Sequence, residues 1–409
     1  MMELVTDCRI CFSNKLIEVL DLGTQAFGGI FPKSRTEEVP TGPLKLIKCA
    51  DCGLVQLGHN YDSSILYGEN YGYRSGLNLS MVNHLCDIVR HAKHLKTLRP
   101  MDIVIDIGSN DGTLLAQYQD SMVRRIGIDP TISKFEKYYS ERIHTIENFF
   151  SAEEVLQYTR GEKAKIITSI AMFYDLERPV DFVHDIGKVL DDDGIWIFEQ
   201  SYLPSMIQSN SYDTVCHEHL EYYNLQQIRN MLHSSGMKIV DVNFNNVNGG
   251  SFEVVAAKSI SGYSTCENLP ILLSLEKEKA ADNLASFDRF KTSIFKEKTK
   301  LATLLWETKF NGELVLGYGA STKGNVLLQY SNIDENLLPC IAEVNEDKFG
   351  CFTPGTGIPI VSEDEAKSLN PAYFLVLPWH FRDNIIEREQ EFLKNGGHLI
   401  FPLPTLEIV

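Results

Sequence analysis

The chain has 409 residues, 44% hydrophobic and 23% charged, which is too long for one core and fits about two to four soluble domains. With 38 Lys and Arg against 55 Asp and Glu, its net charge of −17 excludes sequence-independent DNA or RNA binding, though a local cluster of donors can still hold a small phosphorylated ligand. No apolar run spans a bilayer and Met1 to Cys8 lack a signal-peptide layout, so the expected setting is cytoplasmic with no membrane partner.

Residues 1–65 form the first expected domain, poor in helical periodicity and rich in turn formers. Two Cys-x-x-Cys pairs, Cys8/Cys11 and Cys49/Cys52, bracket it. Each pair closes a turn that aims two thiolates at one point, and two such turns make a tetrahedral Zn²⁺ site. Four thiolates fill the shell, so the metal is structural and expected to stand apart from the chemistry. An aromatic, Gly-rich loop follows, Tyr67-Gly68-Glu69-Asn70-Tyr71-Gly72-Tyr73-Arg74-Ser75. Leu79, Val82, Leu85, Cys86 and Val89 then recur at helical spacing.

From about residue 101 the chain alternates strands and helices. Ile103–Ile107, Ile126–Asp129, Ile166–Ile170 and Ile195–Glu199 predict a largely parallel sheet, closed by a hairpin of 238–243 and 252–257 around Gly249-Gly250. This core is expected over 66–260. Residues 271–309 have no Pro or Gly and predict one long helix within a connector, 261–309. The final domain, 310–409, restarts the alternation with 314–318, 340–344, 373–377 and 398–401.

Three constellations carry chemistry. In Val104-Ile105-Asp106-Ile107-Gly108-Ser109-Asn110-Asp111-Gly112, Gly108 permits a tight turn at the carboxyl end of a strand, where nucleotide-like ligands sit in open α/β sheets. The spacing is not G-x-G-x-x-G, which weakens a dinucleotide reading. The next strand ends in Asp129, placed to accept from ribose hydroxyls. Second, Cys216-His217-Glu218-His219 puts ionisable groups together beyond the sheet. This suits general-base chemistry, and leaves open a metal held by His217, His219 and an acid, or a structural loop. Third, Gly317-Tyr318-Gly319-Ala320-Ser321-Thr322-Lys323-Gly324-Asn325 turns from strand to helix. It exposes backbone N–H groups beside Ser321, Thr322 and Lys323, which suits a diphosphate, or is a plain tight turn.

In this order, with Asn248-Gly249-Gly250-Ser251 between the last two, the motifs resemble the sugar C-methyltransferases that act on nucleotide-linked 4-keto-deoxysugars. The resemblance covers essentially the whole chain. It implies an α/β protein: a class I methyltransferase Rossmann-like core, an N-terminal four-Cys zinc module and a C-terminal Rossmann-like domain without a dinucleotide. It implies S-adenosylmethionine as methyl donor, held by Asp106, Gly108, Asn110, Asp111 and Asp129. It also implies His219 as the base with Glu218 as its partner, and Tyr71 and His217 in the catalytic set. The substrate, a dTDP-linked 4-ketosugar methylated at C3, would lie against Tyr73, Arg74, Cys216, Tyr222, Ser321, Thr322, Lys323 and Asn325. The chain departs from the family at Cys216, where relatives have Tyr, and at Phe173, where they have His. Tyr174, Tyr222 or Tyr223 could supply a missing hydroxyl. An N- or O-methyltransferase and a non-catalytic zinc-stabilised binding protein are the alternatives, as a monomer or small homo-oligomer.

Overall fold

The structure is a computed structural model that describes residues 2–67, 72–119, 122–279 and 283–409. Its central sheet has seven strands in the order Met237–Asn245, Ser251–Lys258, Leu190–Ser201, Ala164–Ile170, Ile103–Ile107, Arg124–Ile128 and Ile143–Ile146. The last five are parallel, and the first two form the antiparallel hairpin expected around Gly249-Gly250. Strand Ile103–Ile107 is buried at every position, as a strand covered on both faces must be. The chain runs outward from it through Arg124–Ile128 and Ile143–Ile146, then returns to its other side at Ala164–Ile170. That reversal opens a crevice at the strands' carboxyl ends.

Helix Leu79–Leu95 covers one face through Met81, Leu85, Ile88, Val89 and Ala92. The sequence reading placed Leu79 on that stripe, but its side chain is 72% exposed. The single helix expected over 271–309 is described as two, Leu269–Lys279 and Leu284–Phe310, and residues 280–282 lie outside the description. The second is more than a spacer. Phe287, Phe290, Ile294, Leu301 and Leu305 are buried in the core of the C-terminal sheet.

That C-terminal sheet has the order Ile360–Ser362, Ile341–Glu343, Val315–Tyr318, Tyr373–Val376, His398–Phe401 and Glu407–Ile408, parallel except for the last strand. It too reverses direction beside its first strand, so the turns after Tyr318 and Val376 share one crevice. Residues 1–60, read from sequence as turn-rich, carry an antiparallel sheet, Leu16–Ala26, Thr41–Cys49 and Val55–Leu57. Its fourth strand is Glu221–Tyr222, contributed from far along the chain. No helix among the described residues is long and apolar enough to cross a membrane.

Candidate active site

The carboxyl ends of the two large sheets face one cavity of about 500 Å³. On the methyltransferase-like side, Gly108 turns at φ +74°, and a Cβ there would meet the Met172 side chain at 3.0 Å. The Asp129 carboxylate accepts the Asn110 N–H at 2.9 Å and the Thr131 N–H at 2.7 Å, which fixes the loop next to the cavity. Asn110 in turn accepts from Ser75 N–H at 2.9 Å and donates to the Tyr73 carbonyl at 3.2 Å. The aromatic loop is thereby tied to the Gly loop. Asp106 accepts from the Thr168 hydroxyl at 2.6 Å, and burial, with Asp129 nearby, pushes its carboxyl up to about 7. Asp111 does not reach the cavity. It accepts from Gly76 N–H at 2.9 Å and from the Thr113 hydroxyl at 2.6 Å, and so shapes the loop from behind the lining.

His219, Glu218 and Cys216 line the same cavity. The His219 Nδ1–H donates to the Thr214 carbonyl at 2.8 Å, which leaves Nε2 with its lone pair and no partner among the described residues. Burial, and then the Lys323 charge, lowers its pKa to about 3, so the imidazole is neutral. The ring of Tyr174 lies 4.3 Å from it. Glu218 was expected to partner His219, but the two share no hydrogen bond. Glu218 instead packs against the Gly29 backbone, where a Cβ would sit 2.6 Å from its Oε1. Burial raises the pKa of Glu218 and of the Cys216 thiol.

Three expected site residues belong to the packing behind the wall. His217 is fully buried between Phe27 and Tyr61, with Nε2 3.1 Å from the Gly42 carbonyl; its burial depresses it to about 4. Tyr222 is buried, and its hydroxyl donates to the Thr214 carbonyl at 3.4 Å. Asn325 donates to the Gly28 carbonyl at 2.7 Å, joining the C-terminal body to the N-terminal sheet. Phe173 also turns inward, stacked on Tyr223 at 5.5 Å, while its neighbour Tyr174 takes the wall. Tyr71 lies outside the described residues. Tyr73 and Arg74 line the cavity, with Arg74 4.2 Å over the Tyr138 ring.

The C-terminal body supplies Ser321, Thr322 and Lys323. Ser321 caps helix Thr322–Ser331 by accepting the Gly324 N–H at 3.0 Å. Lys323 Nζ donates to the Asn248 carbonyl at 2.9 Å; burial lowers its pKa, opposed by the charge of Asp213. Sequence reasoning missed Glu199, which accepts from Asn245 at 2.6 Å and lies 2.7 Å from His84. It also missed Phe149, Phe150 and His380, which line the cavity too. Phe149, Phe150 and His380 follow the ends of parallel strands and Glu199 lies near the end of one, and that position was the available signal.

At the far end of the N-terminal sheet, the four Cys sulfurs lie within 4.8 Å of one another, with Cys8–Cys52 and Cys11–Cys49 at 3.4 and 3.5 Å. A tetrahedral zinc with Zn–S near 2.3 Å sets its sulfurs about 3.8 Å apart, so this cluster fits the ion.

Family models match the chain in the same order: a zinc binding domain over residues 8–67, a methyltransferase domain over 83–242 and a C-methyltransferase C-terminal domain over 246–404. The C-methyltransferase NovU of Streptomyces niveus is 27% identical over 413 residues, covering 99% of this chain and 97% of that protein. Among solved structures, the plantazolicin methyltransferase BpumL in complex with SAH is 11% identical, with a TM-score of 0.34 over 42% of this chain and 82% of that one. LepI in complex with SAM is 13% identical, with a TM-score of 0.33 over 41% and 46% of the two chains. The protein uses S-adenosylmethionine and holds a structural zinc on Cys8, Cys11, Cys49 and Cys52. With zinc-binding, methyltransferase and C-methyltransferase C-terminal domain models matching in succession, the chain is an S-adenosylmethionine-dependent methyltransferase.

Proposed function

We propose that the protein methylates C3, next to the 4-keto group, of a nucleotide-linked deoxysugar, with dTDP as the carrier. The observation that carries this reading is His219: a neutral imidazole whose Nδ1–H is committed to Thr214, in the cavity that the Gly108 loop and Lys323 also line. S-adenosylmethionine supplies an electrophilic methyl on a positively charged sulfur. Asp129 faces the donor's ribose hydroxyls, and Asp106 places negative charge near the donor. A ketone acidifies the carbon beside it, so a positioned base can remove that proton and leave an enolate carbon to take the methyl. Nε2 of His219 is the proton acceptor. Lys323, Ser321 and Thr322 hold the diphosphate, whose charge offsets the smaller, Lys323 part of the depression that burial and Lys323 impose on His219, and so makes it a stronger base once substrate is in place.

The test is incubation with S-adenosylmethionine and a panel of nucleotide 4-ketosugars, read by mass spectrometry. One added methyl on carbon is expected for at least one member. Donor binding with no methylation of any member, or a methyl on oxygen or nitrogen, overturns the reading.

Two further expectations concern the donor. Asp129→Ala weakens donor binding in calorimetry by about 1–3 kcal/mol, because charge-assisted hydrogen bonds are lost. Donor affinity also falls as pH drops below about 7. The cationic donor favours the ionised Asp106 carboxylate, whose pKa in the free protein is raised to about 7, so at lower pH binding must first remove a proton. Asp106→Asn removes this dependence, and an unchanged pH profile in that variant counts against it.

A further inference from the structure

The Pro378–Phe381 turn presents His380 to the cavity and sends its neighbour Trp379 the other way. The Trp379 indole N–H donates to Asp213 Oδ2 at 2.8 Å. Both residues are buried, and Asp213 lies in the short helical turn Tyr212–Thr214. The carbonyl that receives the His219 Nδ1–H belongs to the next residue, Thr214. The same turn is held internally by Thr214 N–H to Ser211 and Val215 N–H to Tyr212. The imidazole therefore hangs from a peptide whose neighbouring side chain is gripped by the C-terminal body.

We propose that Trp379 is a positioning residue for the base: through Asp213 it fixes the Thr214 carbonyl, and with it the tautomer and direction of His219. This rests on the reading of His219 given above. A buried carboxylate that loses a donor must find another or move, and Asp213 Oδ1 already lacks one. Displacement of the carbonyl by even a fraction of an ångström releases Nδ1–H, and the ring loses its reason to keep Nε2 free.

The test is Trp379→Phe, which keeps an aromatic ring in the slot and deletes only the N–H. Histidine ¹⁵N spectra of the full chain, with His219 assigned through His219→Asn, are expected to show a single Nδ1–H tautomer in the wild type and a mixture in Trp379→Phe. Zinc content and calorimetric affinity for S-adenosylmethionine stay unchanged, which shows the fold intact. With a 4-ketosugar nucleotide that the wild type methylates, turnover falls about tenfold or more with the KM for the donor unchanged. An unaltered His219 tautomer in the variant overturns the proposal. A wild-type His219 protonated at Nε2 instead overturns the base reading itself, so the two failures are distinct.

A second inference comes from the outer face of helix Leu284–Phe310. Phe295, Thr299, Ala302, Trp306 and Phe310 recur at three- and four-residue steps, so they form one stripe. Phe295, Trp306 and Phe310 are 63%, 56% and 92% exposed, and the last two line an open groove, an unusual cost for a surface helix. The stripe is self-complementary. In an antiparallel pair centred near Ala302, Phe295 of one copy meets Phe310 of the other. On the same flank, the exposed Lys296 lies beside the partner copy's exposed Glu307. We infer that this face pairs with a second copy of the chain.

Sedimentation equilibrium is expected to give twice the 46.2 kDa chain mass. Trp306→Asp or Glu307→Lys is expected to give single chains, and Lys296→Glu combined with Glu307→Lys to restore the pair. A wild type that stays at one chain mass, or a dimer that survives Trp306→Asp, overturns the inference.

Discussion

His219→Asn is expected to lower turnover by about 10²–10⁴-fold and to stop deuterium exchange from solvent into the acceptor carbon, while calorimetric affinity for S-adenosylmethionine changes by less than twofold. The substitution isolates basicity. An Asn amide can still donate to the Thr214 carbonyl that now receives Nδ1–H at 2.8 Å, so the loop keeps its hydrogen bond. What disappears is the Nε2 lone pair. His219 and the Asp106–Asn110 loop both line the cavity, and the Asp129 hydrogen bonds to Asn110 and Thr131 do not involve His219. Equal losses of donor affinity and turnover would make His219 a structural residue. Retained deuterium exchange would move the base elsewhere on the wall.

Cys49→Ser, or removal of the metal by a chelator, is expected to cost several kcal/mol of stability and to reduce turnover as well. Structural zinc contributes folding free energy directly, about 10–16 kcal/mol in isolated finger peptides. The loss here is smaller, because the domain also has an apolar core. From sequence, the metal stood apart from the chemistry; the structure joins them. Cys8 and Cys49 are fully buried in the same core as Leu54, Phe173 and Tyr223. Strand Val55–Leu57 pairs with Glu221–Tyr222, two residues beyond His219, and Gly29 of the same domain touches Glu218. Thermal melts and turnover followed together during chelation check this. A drop in melting temperature with full activity at low temperature would return the zinc to a remote role.

How much the sequence disclosed depended on how local each feature is. The parallel core was legible because buried strands such as Ile103–Ile107 are short apolar runs with turn formers at their ends. The N-terminal sheet was not. Leu16–Ala26 is exposed at several positions on both faces and kinked by register shifts, so its alternation is broken. Strand Ile143–Ile146 carries His and Thr at its centre and gave no apolar run. The Cys pairs and the Asp129 position were readable because spacing alone aims them. The Cys-His-Glu-His run misled in part, since three adjacent ionisable residues cannot all face one way: His217 turns into the aromatic core while His219 faces the cavity. Which of them does so is decided by Phe27 and Tyr61, residues remote in sequence.

The strand Glu221–Tyr222 also bears on how the chain comes off the ribosome. Val55–Leu57 is synthesised early but cannot complete its ladder until Glu221–Tyr222 emerges, roughly ten seconds or more later at ordinary elongation rates. Until then the N-terminal domain waits with an open sheet edge, held by its metal and its own apolar contacts, a state in which nascent chains pair with the wrong neighbour. Zinc supply during translation should therefore govern the soluble yield of this protein more than its supply afterwards.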